Sequence, residues 1–282
     1  MLSFRNKLIT KVGVPVFKCP ALPFIHIFKM FNMPKKRISL SENGIGTKDD
    51  PVYLTAHRGA WTDSPQNSLP AFKKSVELGY YTAECDIRLT KDNKWVVLHN
   101  DTVDSLFCQK GKIEDITYDE VRTFTYKDGP AFWTYKDLKI CSFEEYLDVF
   151  AGTNTRPQIE IKTETYDMLY TVVDAVKAKG LEKSAIVISF DLEQLRQINK
   201  IDSSIELWYL IDEITPENIA EAQAIGPNVW LSPNYDRNTA ETIKLALDAG
   251  IGVSFWTVNK LEDARKLYDL GVRYIESDVL CK

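Results

Sequence analysis

Glu84 and Asp86 stand two residues apart within a β-rich run, and Glu160 and Lys162 repeat that spacing further along the chain. On a strand, residues two apart point to the same face, so each pair presents its side chains together. Three carboxylates brought to one place repel one another unless positive charge sits between them. An all-oxygen, carboxylate-rich set suits one hard divalent cation, Mg²⁺ or Ca²⁺, with Mn²⁺ also compatible. The competing reading is a set of interior carboxylates neutralised by Lys and Arg, Glu160 against Lys162 being the obvious pair. A single carboxylate would be read that way. Three, accompanied by two histidines, favour the metal site.

The chain has three histidines, His26, His57 and His99. His57 lies in Ala56-His57-Arg58-Gly59 and His99 in Leu98-His99-Asn100-Asp101, each at the end of a β-type run. Histidine is the side chain suited to exchanging protons near neutral pH, and a pair can serve as general acid and general base. Arg58 and Lys162 add positive charge, the first as a fork and the second as a point charge for an anionic oxygen. This set points to attack at phosphorus in a phosphodiester. The cation would polarise a non-bridging oxygen and ease deprotonation of a hydroxyl or water. One histidine would take the nucleophile's proton and the other would protonate the leaving alkoxide. Residue types alone do not say which does which.

These residues are scattered over a hundred positions, so the elements between them must bring them together. β-type runs fall at Val52–Ala56, Tyr80–Leu89, Lys94–Leu98, Pro157–Ile161, Ala185–Ser189, Ile205–Leu210, Asn228–Leu231, Gly252–Val258 and Val272–Ile275. Helical patterns alternate with them at Ser68–Leu78, Thr165–Lys179, Leu192–Lys200, Pro216–Ile225, Thr239–Asp248 and Leu261–Leu270. Gly79, Gly180, Gly226, Gly250 and Gly271 stand where those helices should stop. Such alternation predicts parallel strands covered by helices. The runs number one too many for an eight-stranded barrel. Only Thr90-Lys91-Asp92-Asn93 separates the second run from the third, too little for a crossover helix, so these two read as a hairpin. The expected fold is an α/β (β/α)8 barrel over 52–282, with a hairpin excursion after strand two and a long loop or insertion at 99–155. Active sites of such barrels lie at the C-terminal strand ends, where the residues above fall.

With 35 basic and 40 acidic residues the net charge is −5, which argues against general nucleic-acid binding. The charge is uneven. Residues 1–40 carry Arg5, Lys7, Lys11, Lys18, Lys29, Lys35, Lys36 and Arg37 and no acid, leaving −13 on the remainder. Within them Phe24, Ile27, Phe28 and Phe31 fall at helical spacing between Pro23 and Pro34, with His26 and Lys29 off the stripe. A basic amphipathic helix of this kind can lie in a membrane interface, so residues 1–40 are a candidate for peripheral membrane contact. The plainer alternative is docking on the barrel or on a second subunit. The polar stretch Ser39–Pro51 reads as a linker, so 1–51 is expected to be a segment appended to the barrel. No run reaches the roughly 18–20 apolar residues of a membrane span. The five cysteines are odd in number and lack a CxxC, which predicts no disulfide framework and favours a reducing, cytoplasmic setting.

In order and spacing these motifs resemble the glycerophosphodiester phosphodiesterase family. The resemblance runs through His57-Arg58-Gly59, Pro65-Gln66-Asn67-Ser68, Glu84-Cys85-Asp86, Thr90-Lys91-Asp92, Val97-Leu98-His99, Glu160-Ile161-Lys162, Trp256-Thr257-Val258-Asn259 and Glu276-Ser277-Asp278. It implies a barrel, His57 and His99 as catalytic pair, Glu84, Asp86 and Glu160 as metal ligands, and Arg58 and Lys162 at the phosphate. It also implies hydrolysis of small or lipid-derived glycerophosphodiesters to glycerol 3-phosphate and an alcohol with Mg²⁺ or Ca²⁺. Three positions depart from the pattern. Gln66 stands where the family has Glu, Asn100 where it has Asp, and Asp104-Ser105-Leu106 where it has Arg-Thr-Thr. Trp256 is a candidate apolar wall for the substrate, whereas Trp208 reads as barrel packing. Two rivals remain open: a membrane-associated lysophospholipase D or phosphodiester lyase, and a barrel that binds a phosphorylated ligand without turning it over.

Overall fold

The computed structural model describes residues 34–282. The helix expected between Pro23 and Pro34 lies outside the described residues. Strand β1 (Ile38–Ser39) runs on the outside. The barrel begins with β2 (Tyr53–Ala56) and β3 (Thr82–Leu89), and β3 turns back as β4 (Trp95–Val97) in an antiparallel hairpin that sets Ile87 opposite Val97. Then follow β5 (Arg156–Ile161), β6 (Ile186–Ser189), β7 (Glu206–Ile211), β8 (Val229–Pro233), β9 (Ser254–Phe255) and β10 (Tyr274–Ser277). Parallel pairing runs β8-β7-β6-β5-β3-β2-β10-β9. Parallel bridges Leu231–Val253 and Asn234–Trp256 join β8 to β9 and nearly close the ring. The fold is thus a TIM-type barrel of eight parallel strands with β4 as an excursion, as the alternation and the short hairpin turn predicted.

Helices at Leu69–Glu77, Leu169–Ala178, Leu192–Ile201, Pro216–Gln223, Ala240–Asp248 and Leu261–Asp269 cover the ring. Their stripes are ordinary amphipathic ones; Leu192, Leu195 and Ile198, for example, are buried from one helix. Local sequence starts the helices too. Thr215 caps the fourth through a capping box with Asn218 and Pro216 at the first turn. Gly79, Gly180, Gly250 and Gly271 end helices with positive φ, whereas Gly226 does not.

The barrel interior has two halves. Beneath β6–β8 it is aromatic and aliphatic: Ile186, Ile188, Trp208 and Leu210, with Trp230, Trp256 and Tyr274 against them. Trp208 is wholly buried and stacks on Trp230 at 5.5 Å, which is the packing role its sequence context predicted. Beneath β2, β3, β5 and β10 the interior is polar. Gln158 Oε1 lies 3.2 Å from Thr55 Oγ1 and 3.0 Å from Thr82 Oγ1, and its amide donates to Glu276 Oε2 at 2.9 Å. A buried polar layer is tolerated when its members satisfy one another. This one forms the floor of the acidic cluster described below.

The segment after β4 builds a satellite core from Val96, Leu98, Val103, Leu106, Phe107, Ile113, Val121, Tyr126 and Ile140. Arg122 ties it to the helix Phe143–Asp148 through a two-pronged pair with Glu145 at 2.6 and 2.8 Å. Residues 39–51 do not hang free as a linker. β1 pairs in parallel with β11 (Leu280–Cys281), Leu40 and Ile45 are each 2% exposed, and Arg273 grips Asp50 at 2.6 and 2.8 Å. A mostly polar composition conceals the two apolar side chains and one carboxylate that anchor this strap. Among the described residues no helix is long and apolar enough to cross a membrane. Cys85, Cys141 and Cys281 are free, while Cys108 is disulfide-bonded, a single bond that the expectation of no disulfide framework did not foresee.

Candidate active site

The C-terminal ends of β2, β3, β5 and β10 share one rim. Register sets Asp86 beside Glu160 and Glu84 beside Gln158, and pairs β10 with β2 so that Glu276 and Ser277 flank Thr55 and Ala56. Glu84, Asp86 and Glu160 each bring a carboxylate oxygen within 4.8 Å of the others. Glu84 and Asp86 are 1% exposed. Lys162 Nζ sits 2.8 Å from Glu160 Oε1 and 3.9 Å from Asp86 Oδ1.

After β2 the chain turns sharply to aim two basic side chains inward. Arg58 and Gly59 both have positive φ, at 55° and 80°. A Cβ on Gly59 would lie 2.9 Å from Ala71 Cβ and 3.0 Å from the Ala71 carbonyl carbon, so glycine alone fits against the first helix. The Arg58 N–H donates to Glu84 Oε2 at 2.7 Å. Its guanidinium reaches Gln66 Oε1 at 2.9 Å, His57 Nε2 at 3.2 Å and Asp86 Oδ2 at 3.6 Å. Gln66 therefore steadies Arg58 as a neutral acceptor where a glutamate would have added charge. Asn67 donates to Asp86 Oδ2 at 2.7 Å.

His57 Nδ1 lies 2.8 Å from Asp278 Oδ1, and Asp278 also receives the Trp61 indole N–H at 3.2 Å and the Asn259 amide at 2.7 Å. The pairing assigns the Nδ1 proton and leaves Nε2 as the nitrogen that exchanges one. Nε2 faces Arg58 and, at 3.8 Å, Glu276 Oε1. Burial opposes the charged imidazolium, but the Asp278 hydrogen bond and Glu276 outweigh it and raise the His57 pKa. Burial likewise works against the Asp278 carboxylate, yet His57 holds it down to about 2. His99, at the end of the hairpin, is placed by Arg88 Nε donating to its carbonyl at 2.9 Å. Its Nδ1 lies 2.8 Å from Asn100 Oδ1, a neutral partner. Burial lowers its pKa, with Arg58 and Lys162 acting in the same direction and Asp86 against them.

The acidic cluster is under electrostatic tension. Burial, then Asp86, Glu276 and Glu160, push the Glu84 carboxyl well above its usual range. Burial and Asp86 raise Glu160 to about 7 despite Lys162. Asp86 behaves in the opposite way: burial would raise it, but Arg58, His99 and Lys162 together keep it low. Glu84 Oε1 is buried without a hydrogen-bond partner. An orphaned carboxylate oxygen among three carboxylates fits a hard divalent cation, which would satisfy it and relieve the repulsion.

The structure thus gathers His57, Arg58, Glu84, Asp86, Glu160 and Lys162 at one end, with His99 on the adjoining hairpin. Trp256 stands on the aromatic side, its indole donating to the Ser232 carbonyl at 2.8 Å and its ring edge-on to Phe190 at 5.7 Å. Sequence reasoning assigned no role to Glu276, Asp278, Trp61, Asn67 or Asn259. The two acids carried a usable signal, since Glu276 and Asp278 repeat the two-residue spacing of Glu84 and Asp86. His57, Glu84 and Glu276 form a second trio with ligand atoms within 4.8 Å.

Residues 57–280 match the model of the glycerophosphoryl diester phosphodiesterase family. The protein YqiK of Bacillus subtilis is 31% identical over 224 residues, covering 77% of this chain and 91% of that one. A glycerophosphodiester phosphodiesterase of Caldanaerobacter subterraneus is 29% identical over 239 residues, covering 80% and 94%. Among solved structures, a phosphodiesterase of Oleispira antarctica in complex with the product sn-glycerol-3-phosphate superposes with a TM-score of 0.75 at 19% identity, covering 86% and 96%. The glycerophosphodiester phosphodiesterase of Thermotoga maritima gives 0.63 at 27%, covering 80% and 94%. Barrel, rim and motif order therefore agree with the match over most of the sequence, and the chain belongs to the glycerophosphoryl diester phosphodiesterase family, whose members are phosphoric diester hydrolases.

Proposed function

We propose that this chain hydrolyses glycerophosphodiesters to glycerol 3-phosphate and an alcohol, with His57 and His99 exchanging the protons and one divalent cation, Mg²⁺ or Ca²⁺, held by Glu84, Asp86 and Glu160. The observation that carries the reading is the convergence of three carboxylates, one with an orphaned buried oxygen, on two cationic side chains and a histidine already oriented by a carboxylate. The product-bound relative from Oleispira antarctica supports the choice of substrate class.

When bound, the cation supplies positive charge to a non-bridging phosphoryl oxygen. Arg58 and Lys162 share that task from either side of Asp86 and fix the phosphoryl group in place. His57, with its Nδ1 proton given to Asp278, works through Nε2. His99, whose Nδ1 faces Asn100, likewise presents Nε2. One removes a proton from the attacking water as the new P–O bond forms. The other delivers a proton to the departing alkoxide as the old P–O bond breaks. Trp256 offers an apolar face to the substrate's carbon skeleton.

The test is release of glycerol 3-phosphate from glycerophosphocholine and glycerophosphoethanolamine, with and without EDTA. Release that stops in EDTA and returns with Mg²⁺ or Ca²⁺ is expected. No metal-dependent release from any diester would overturn the reading in favour of a binding module.

A further inference from the structure

His57, Glu84 and Glu276 each bring a ligand atom within 4.8 Å of the others, and the two glutamates are buried, at 1% and 5% exposed. Each of the three is held by a neighbour through its other polar atom. Asp278 takes the His57 Nδ1 proton at 2.8 Å, which leaves the lone pair of Nε2. The Gln158 amide donates to Glu276 Oε2 at 2.9 Å, which leaves Oε1, 3.8 Å from His57 Nε2. The Arg58 N–H donates to Glu84 Oε2 at 2.7 Å, and Glu84 Oε1 is the buried oxygen without a hydrogen-bond partner. Nε2 also accepts from Arg58 Nε at 3.2 Å. That contact can be given up, because Gln66 Oε1 at 2.9 Å and Asp86 Oδ2 at 3.6 Å still hold the guanidinium.

This trio selects a different ion from the three carboxylates. Glu84, Asp86 and Glu160 offer oxygen alone, which suits hard cations. An imidazole nitrogen with two carboxylates suits zinc and its first-row neighbours. A histidine bound to such a metal donates its other N–H to a carboxylate, and ligating carboxylates are hydrogen-bonded in turn. Asp278 and Gln158 stand in those two places.

We propose that His57, Glu84 and Glu276 form a zinc site, sharing only Glu84 with the Mg²⁺ or Ca²⁺ set, through which Zn²⁺ shuts the enzyme off. Zn²⁺ takes the Nε2 lone pair, and a proton carried there passes to water as the Zn–N bond forms. Nε2 then neither accepts nor delivers a proton, so turnover stops. The ligation stands on the geometry of the trio. The inhibition rests on the phosphodiesterase reading, in which Nε2 is the nitrogen that exchanges a proton.

The test is Zn²⁺ binding to the full chain in excess Mg²⁺, read by competition with a chromophoric chelator and by the ¹⁵N resonances of the histidine rings. The Nε2 resonance of His57 is expected to move as Zn²⁺ is added. Glu276→Gln should weaken Zn²⁺ by about a hundredfold, at the top of the range seen when a supporting partner is lost. Glu160→Gln, outside the trio, should leave Zn²⁺ affinity near that of the parent. Zn²⁺ should stop Mg²⁺-supported release of glycerol 3-phosphate over the concentrations at which it binds, and a zinc-selective chelator should restore it. A His57 resonance unmoved by Zn²⁺ would overturn the proposal. So would an affinity that falls as far with Glu160→Gln as with Glu276→Gln, because zinc would then only replace the hard cation. Full hydrolysis with Zn²⁺ on His57 would overturn the inhibition. The resonance is read on the parent chain, so it decides even where a variant does not fold. A parent that binds Zn²⁺ through His57 yet hydrolyses no diester in Mg²⁺ or Ca²⁺ sinks the phosphodiesterase reading and leaves the zinc ligation standing.

Discussion

His57 is held from two sides, by Asp278 at Nδ1 and by Arg58 and Glu276 around Nε2. His99 has a neutral neighbour in Asn100 and a half-buried ring. The two histidines thus meet unlike surroundings, as the proposed division into acid and base requires. A positioned acid or base contributes about 10²–10⁴ in rate. His57→Ala and His99→Ala are each expected to lower kcat by that order while far-UV circular dichroism stays that of the parent. A fully active double variant would remove both from the chemistry. The departures at Gln66 and Asn100 find their meaning at this scale as well. Gln66 Oε1 accepts from Arg58 and Asn100 Oδ1 pairs with His99 Nδ1, each without the negative charge of a carboxylate.

At the scale of elements, the hairpin and the segment after it carry His99 to the rim, and Arg122–Glu145 fastens that segment to the barrel. Burial works against the Glu145 carboxylate, but Arg122 and the Ser142 N–H bring its pKa below the usual value. A depressed carboxylate pKa adds stability above the unfolded value, and that stability disappears as pH falls through the folded one. Glu145→Gln keeps the capping geometry and loses the charge. Because Glu145 is 38% exposed, the charge-assisted bond is discounted to about 1 kcal/mol at neutral pH. Urea unfolding should show that difference and should show it shrinking below about pH 4. An equal cost at every pH would mean the pair contributes by packing. The strands and helices were legible because each is amphipathic at its own period and bounded by Gly, Pro or a capping side chain. The strap at 39–51 was not, since Leu40, Ile45 and Asp50 show no periodicity and matter only through β11 and Arg273.

For the whole molecule, the acidic end of the barrel is a place where folding holds like charges together. Glu84 and Glu160 are both pushed up, mainly by burial. A raised carboxylate pKa means that the native state binds the proton more tightly, so in chelator the protein should gain stability as pH falls through the Glu160 value of about 7 toward the ordinary carboxylate range. A divalent cation binding only the folded state should raise the melting temperature. Glu84→Gln should melt higher than the parent in chelator and should lose the cation-induced rise. A parent midpoint indifferent to Mg²⁺ and Ca²⁺ would argue against a metal at this cluster.

Local order is what the amino-acid sequence settles unaided. Strand and helix periods, the hairpin turn and the i, i+2 carboxylates depend on neighbours within a few residues, and so they could be read together with the chemistry of the histidines and acids. Which strand end faces which is a property of ring closure. Asp278 meeting His57 across 221 positions, Glu276 joining the acidic floor through Gln158, and Lys35 arriving beside Trp61 all depend on β10 pairing with β2. Those contacts exist only once the last strand closes on the first, because no local preference specifies a distance between residues so far apart in the chain.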